Sequence, residues 1–331
     1  MEYILENSYL KVTVSSKGAE VVSVQRKCDG VEHIWQADPS VWGSHAPVLF
    51  PHCGKVVDGI IHAKGRDYPA KQHGFARDLE HILVRSTPDV LEFALESNPE
   101  TQARFPYAFR LVSTFTLDGP TLCHTLTVEN NDQEELPFGI GFHPGFAVPF
   151  DDQHTLEDYE IRFEKMESPL CINNLPHGLM HGNFYYLGSN IIALPVTKEL
   201  FANDSHCMTN LSSNTLGLYE KDTGRAVVCD IQGFPYTLLW SAPGGDPRFV
   251  CIEPWHSLPS PERGSTEWTQ KPAAAILAPG ETWSTTLRTT FQRERKGPEL
   301  PETPCKKLAE VPEYRGFRKF YVWICFTDAR P

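Results

Sequence analysis

The chain of 331 residues has no stretch of about 18 consecutive apolar residues, so no membrane-spanning helix is expected. Its N-terminus, "MEYILENSYLKVTV", has no basic region followed by a long apolar one, and no signal peptide is read there. Positive charge is scarce: 30 Lys and Arg against 42 Asp and Glu give a formal net charge of −12. Nucleic acid, which is bound largely through cations on phosphates, is disfavoured as a partner, and so are anionic membrane surfaces. The sequence lacks GxGxxG and Walker motifs, so no nucleotide cofactor is indicated. It also lacks GxSxG and HExxH, which argues against a nucleophilic triad and a helical zinc site of that type; the one HxxxH spacing, His177 and His181, falls in a glycine-rich stretch. None of the nine cysteines has CxxC spacing, and their count is odd. Five sit in apolar surroundings: Cys123, Cys171, Cys229, Cys251 and Cys325. Buried free thiols in a reducing, cytoplasmic compartment are expected.

Long helical periodicity is also missing. What remains is a series of short segments rich in Val, Ile, Thr, Leu and Phe, among them "YLKVTVSS", "VLEFALES", "FRLVSTFTL", "LCHTLTVEN", "AVVCDI" and "TLLWSA". Several alternate apolar and polar residues, and "DG", "GP", "NND" and "GG" punctuate them. "FTLDGPTLCHTLTV" reads as a hairpin turning at Asp118-Gly119-Pro120, and "PVTKELFAND" is the best helical candidate, at one or two turns. The sum is an antiparallel all-β protein of sandwich or barrel type. One boundary is visible. "LAPGETWSTTLRTTFQ" reads as a last turn and strand, closing a domain over residues 1–292. Residues 293–331 form a charged, proline-rich extension that ends in an aromatic run and carries no expected catalysis.

Three segments combine ionisable residues with glycine, proline and aromatics: "KQHGFARD" (71–78), "GIGFHPGF" (139–146) and "FVCIEPWHS" (249–257). Each holds a residue suited to proton transfer: His73, His143 and Glu253. Taken singly, each histidine reads as readily as a structural one, and Glu253 as a partner of Arg248. Two histidines and a glutamate also have the composition of a catalytic zinc site.

Together the three segments resemble the aldose 1-epimerase (galactose mutarotase-like) family. "APVLFPHCGKVVDG" is similar to its early loop, "QHGFARD" and "GFHPGF" to its two histidine motifs, "YTLLWSAPGGDPRFVCIEPWHS" to its glutamate segment, and "LAPGETWS" to its closing turn. "GFHPGF" is most similar to the lactose-operon-associated branch. The resemblance covers roughly residues 1–292 and implies a β-supersandwich of two large antiparallel sheets with few short helices. It implies interconversion of the α and β anomers of a hexose, with Glu253 as general base, His143 as general acid and His73 as the second histidine. No metal and no organic cofactor is implied, since proton transfer is the whole chemistry. The expected partner is a small sugar, bound by a monomer or homodimer.

For substrate binding the candidates are Trp240 and Trp255, with Phe142 and Phe75, as apolar platforms. Arg77, Lys55 and Asp204 are the polar candidates, and a salt bridge to Asp78 is the competing role for Arg77. Lys55 stands where typical galactose mutarotases carry an arginine. "HGFAR" is shared with hexose-6-phosphate 1-epimerases, so a phosphosugar substrate is the enzyme alternative. A non-catalytic carbohydrate-binding regulator is the other.

Overall fold

The computed structural model describes residues 1–174 and 178–293. The expected extension, with Cys305 and Cys325, therefore lies outside the described residues from 294 onward.

Two large antiparallel sheets dominate. The nine-stranded sheet runs Ile191–Pro195, Tyr159–Glu167, Thr215–Glu220, Arg225–Asp230, Thr282–Arg293, Thr121–Asn130, Phe109–Asp118, Val90–Glu96, Ile82–Ser86. The second runs Phe184–Tyr186, Leu170–Ile172, His206–Thr209, Tyr236–Trp240, Phe249–Trp255, Gly141–Phe142, Val48–Leu49, and Gly145–Ala147 also pairs with Phe249–Trp255. The single α-helix among the described residues is Pro99–Gln102, capped by Asn98 and Thr101. No helix among them is long and apolar enough to cross a membrane.

Local alternation explains how the sheets bury a common core. In Thr121–Asn130, Leu122, His124, Leu126, Val128 and Asn130 face inward while the intervening residues face out. On the outer face Thr125 bonds Thr286 at 2.8 Å and Thr121 bonds Thr290 at 2.9 Å, tying this strand to Thr282–Arg293. From the nine-stranded sheet, Phe115, Leu126, Leu218, Val227 and Phe291 meet Phe146, Leu239, Val250 and Ile252 of the other in one apolar cluster. The expected hairpin is present, with Asp118 opposite Thr121 and Gly119 at φ 54°.

Two local expectations change. "PVTKELFAND" is not helical: Pro195 ends a strand, and residues 198–203 form turns. Val196 and Phe201 are its buried anchors, and the chain reverses at Asp204, whose φ is 83°. A helix this short gains too few hydrogen bonds to outweigh those two anchors. Of the thiols expected to be buried, Cys171, Cys229 and Cys251 are buried and free. Cys123 is only half-buried, because strand alternation turns it to the outer face.

Candidate active site

The strand Phe249–Trp255 is buried along its whole length. Its period of two sends Val250 and Ile252 into the core between the sheets. Phe249, Cys251, Glu253 and Trp255 share the opposite face. The neighbouring segment pairs with this strand at two points, Gly141 with Trp255 and Gly145 with Cys251. His143 lies midway between them and so falls opposite Glu253. Its Nε2 is 3.3 Å from Glu253 Oε2. The two glycines make room on either side. A Cβ at Gly141 would lie 2.6 Å from the Trp255 ring, and one at Gly145 would lie 2.7 Å from the Trp42 ring.

His73 arrives from a different part of the chain. His73 and Gly74 are both left-handed, at φ 67° and 75°. A Cβ on Gly74 would lie 2.1 Å from the Phe50 carbonyl oxygen, so only glycine fits there. The turn aims the His73 ring edge-on at His143, with centroids 5.4 Å apart, and at Trp255, 5.6 Å away. The Gly54 N–H donates to His73 Nδ1 at 3.1 Å, which requires a lone pair on that nitrogen. The proton of neutral His73 therefore sits on Nε2; the Gln72 amide nitrogen lies 3.1 Å away, and since it too is a donor, Gln72 pairs with this proton only when its carboxamide is turned to present the oxygen. Gly74→Ala is expected to destabilise the protein by more than about 2 kcal/mol, since it combines a backbone clash with a strained φ. Equilibrium urea unfolding measures this, and a loss below about 0.5 kcal/mol would show that the turn relaxes freely.

Burial sets the proton affinities of the three groups, which are only 1% (Glu253), 6% (His143) and 7% (His73) exposed. Loss of solvent pushes the Glu253 carboxyl well above the usual range; Asp204 pushes it the same way, while Arg77 opposes. Burial, seconded by Arg77, lowers His143 to about 3. His73 is also driven well below its ordinary value, by burial first and then by His143 and Arg77.

Most of the other sequence candidates surround these three. Trp255 packs beside His73, and Trp240 meets His143 edge-on at 5.6 Å. Asp204 is half-buried and takes a hydrogen bond from Trp240; burial raises its carboxyl, while Trp240 and Lys55 oppose. Lys55 is exposed at the edge of the site. Arg77 is half-buried and donates to Ser44 Oγ at 2.7 Å. Asp78 approaches Lys71, at 3.9 Å, and among the described residues Arg77 forms no salt bridge. Arg248 pairs with Asp38 at 2.9 Å, not with Glu253. Phe75 and Phe142 belong to the core and are not platforms.

Sequence reasoning missed three residues here. Trp42 stacks on His143 with centroids 5.1 Å apart. Gln72 addresses His73 Nε2, and Ser44 holds Arg77. "VWGSHAPV" contains Trp42 and Ser44 but has no feature that separates a site tryptophan from a core one.

Two large antiparallel sheets, with paired imidazoles and a buried carboxyl set among tryptophans, define a galactose-mutarotase-like β-supersandwich. The structure superposes on a galactose mutarotase-related enzyme from Lactobacillus acidophilus with a TM-score of 0.84 and 28% identity, covering 91% of this chain and 100% of that one. A galactose mutarotase-like protein from Lactobacillus casei gives 0.82 and 28%, covering 88% and 100%. The family model for aldose 1-epimerase matches residues 1–290, and the chain belongs to that family. Among curated proteins, the chromosomal Protein LacX of Lactococcus lactis is 30% identical over 287 residues, covering 84% of this chain and 95% of that protein.

Proposed function

We propose that the chain interconverts the α and β anomers of an unphosphorylated hexose, in a reducing, cytoplasmic setting consistent with its seven free thiols among the described residues. The observation that carries this is the contact between His143 Nε2 and Glu253 Oε2 at 3.3 Å, in a setting that pushes both groups toward their uncharged forms. With the carboxyl raised and the imidazole lowered, such a pair can carry one proton on either member. Opening the sugar ring needs a base for the O1 proton and an acid for O5. With the shared proton on His143, Glu253 takes the O1 proton and His143 protonates O5. That transfer leaves a carboxylic acid beside a neutral imidazole, the form that burial favours. The open-chain sugar rotates about C1–C2, and the same two steps in reverse close the other anomer. No net proton is consumed, and each positioned group contributes about 10²–10⁴ in rate.

The remaining residues bind. His73 donates from Nε2–H to a sugar hydroxyl, because its Nδ1 is already an acceptor. Trp240 and Trp42, both half-buried, offer faces for the sugar's C–H surface, whereas Trp255, 3% exposed and packed with Leu49 and Leu238, is a core residue behind His73. Asp204 accepts from a hydroxyl, and Arg77 and Lys55 donate. The charge balance favours a neutral sugar over its 6-phosphate. Arg77 already feels Glu20, Asp78 and Glu253, and Lys55 faces Asp204. A phosphate dianion would add negative charge to carboxylates these cations already offset. A binding-only regulator would have no use for a buried pair with shifted proton affinities.

Polarimetry of freshly dissolved α-D-glucose and α-D-galactose tests the reading: rotation relaxes faster with the protein than without it, whereas an unchanged rate for every hexose overturns it. Arg77→Gln carries a further expectation. The Arg77 charge depresses the proton affinities of His143 and Glu253, so its removal raises both. The pH window in which the pair holds one proton then moves to higher pH. The acid limb of kcat/KM reports this, and a limb that stays put or moves down removes Arg77 from the pair's electrostatics.

A further inference from the structure

Cys251 has no part in the acid–base scheme, yet it sits beside its two central groups. Strand alternation puts its thiol on the face of Glu253, and Gly145 opposite it brings the His143 segment alongside. The Cys251 sulfur, a ring nitrogen of His143 and a carboxylate oxygen of Glu253 all lie within 4.8 Å of one another, and all three residues are buried. Glu253 Oε2 and His143 Nδ1 have no hydrogen-bond partner. Thiolate, imidazole and carboxylate are the donors of three-ligand zinc sites, with metal–ligand bonds of about 2.0–2.3 Å. Drawing the three atoms around a tetrahedral ion needs side-chain shifts on the order of 1 Å.

We infer that His143, Cys251 and Glu253 form an inhibitory site for a thiophilic divalent cation of the zinc type. The ion takes both members of the acid–base pair as ligands and leaves its fourth position toward the sugar side. Its inhibitory consequence rests on the epimerase reading; the binding site does not. Charge supports the assignment: one thiolate and one carboxylate neutralise the dication, so no net charge is left buried. Binding releases the thiol proton and the proton held by the His143–Glu253 pair, so affinity strengthens as pH rises. The second cluster with comparable spacing, Asp151–His154–Glu220, is already served by a cation: Arg225 bonds Glu220 Oε2 at 2.7 Å and also reaches Asp151. A site there would contain no sulfur.

The test is a cobalt(II) titration of the chelator-treated full chain, followed by zinc competition and mutarotation assays. Expected are one equivalent of cobalt, a sulfur-to-cobalt charge-transfer band in the near ultraviolet, and loss of mutarotation with zinc that a chelator reverses. Cys251→Ala and Cys251→Ser, both checked for folding by near-ultraviolet circular dichroism, keep mutarotation. They lose the band, and their zinc sensitivity falls by more than the about 10–100-fold that outer partners of a metal cost. The wild-type spectrum needs no variant and overturns the site by itself if the band is absent. Undiminished zinc sensitivity in a folded Cys251 variant overturns it too. Mutarotation that zinc leaves untouched sinks the metal inference alone. A Cys251-dependent band in a protein without mutarotation sinks the epimerase reading alone.

Discussion

Glu253→Gln lowers the rate of anomer interconversion by about 10²–10⁴-fold, and the protein becomes more stable at neutral pH. The first effect follows from chemistry: glutamine matches glutamate in shape but cannot take the O1 proton. The second follows from linkage. Glu253 ordinarily titrates at 4.5, and burial raises its folded value well above that. Between those two values the folded chain keeps a proton that the unfolded chain has lost, so stability falls as pH rises through this window. Glutamine has no ionisation to suppress, and that loss disappears. A purely structural glutamate would behave in the opposite way, its removal costing stability. Polarimetry and thermal unfolding of the same preparation read both effects. Retained mutarotation in Glu253→Gln would end the assignment of the base.

His143→Asn is expected to cost a similar factor, about 10²–10⁴-fold. The more telling result comes from combining it with Glu253→Gln. Under the proposed mechanism the two groups share one proton, so removing either disables the pair, and the double variant is expected to be about as slow as the slower single one. A double-variant loss equal to the product of the two single losses would mean that they act independently, and the shared-proton mechanism would fail. Stability offers a control. His143 is lowered to about 3 from its ordinary 6.5, so in acid the unfolded chain binds a proton that the folded one refuses. Wild-type stability therefore falls below pH 6.5, and His143→Asn reduces that fall.

The three motifs are legible in the sequence because each sets a proton-transferring residue among glycines and aromatics within a few positions. Their convergence is legible only through the family resemblance. Physically it depends on Gly141 pairing with Trp255 and Gly145 with Cys251, contacts between distant segments that no local pattern encodes. The β class is legible because alternation such as that of Thr121–Asn130 is local. "PVTKELFAND" shows where local pattern fails: core burial of Val196 and Phe201 decides its shape, and the resulting turns bring Asp204 to Trp240. The aromatics divide the same way. Phe75 and Phe142 pack into the core while Trp42 and Trp240 flank His143; only Phe142 and Trp240 lie on strands, and the loop positions of Phe75 and Trp42 are set by tertiary contacts. The role of "KQHGFARD" is also sharper. Its histidine keeps Nδ1 as an acceptor, its glycine is required by the Phe50 carbonyl, and its arginine forms no salt bridge with Asp78 and lowers the proton affinities of His143 and Glu253.

The most direct test of the central claim is NMR magnetisation exchange between the anomers of D-glucose, D-galactose and D-glucose 6-phosphate in the presence of the wild-type protein. The account predicts α–β exchange well above the solution rate for at least one free hexose, and weaker acceleration for the 6-phosphate. Exchange confined to the phosphosugar, or no acceleration of any of the three, would contradict it.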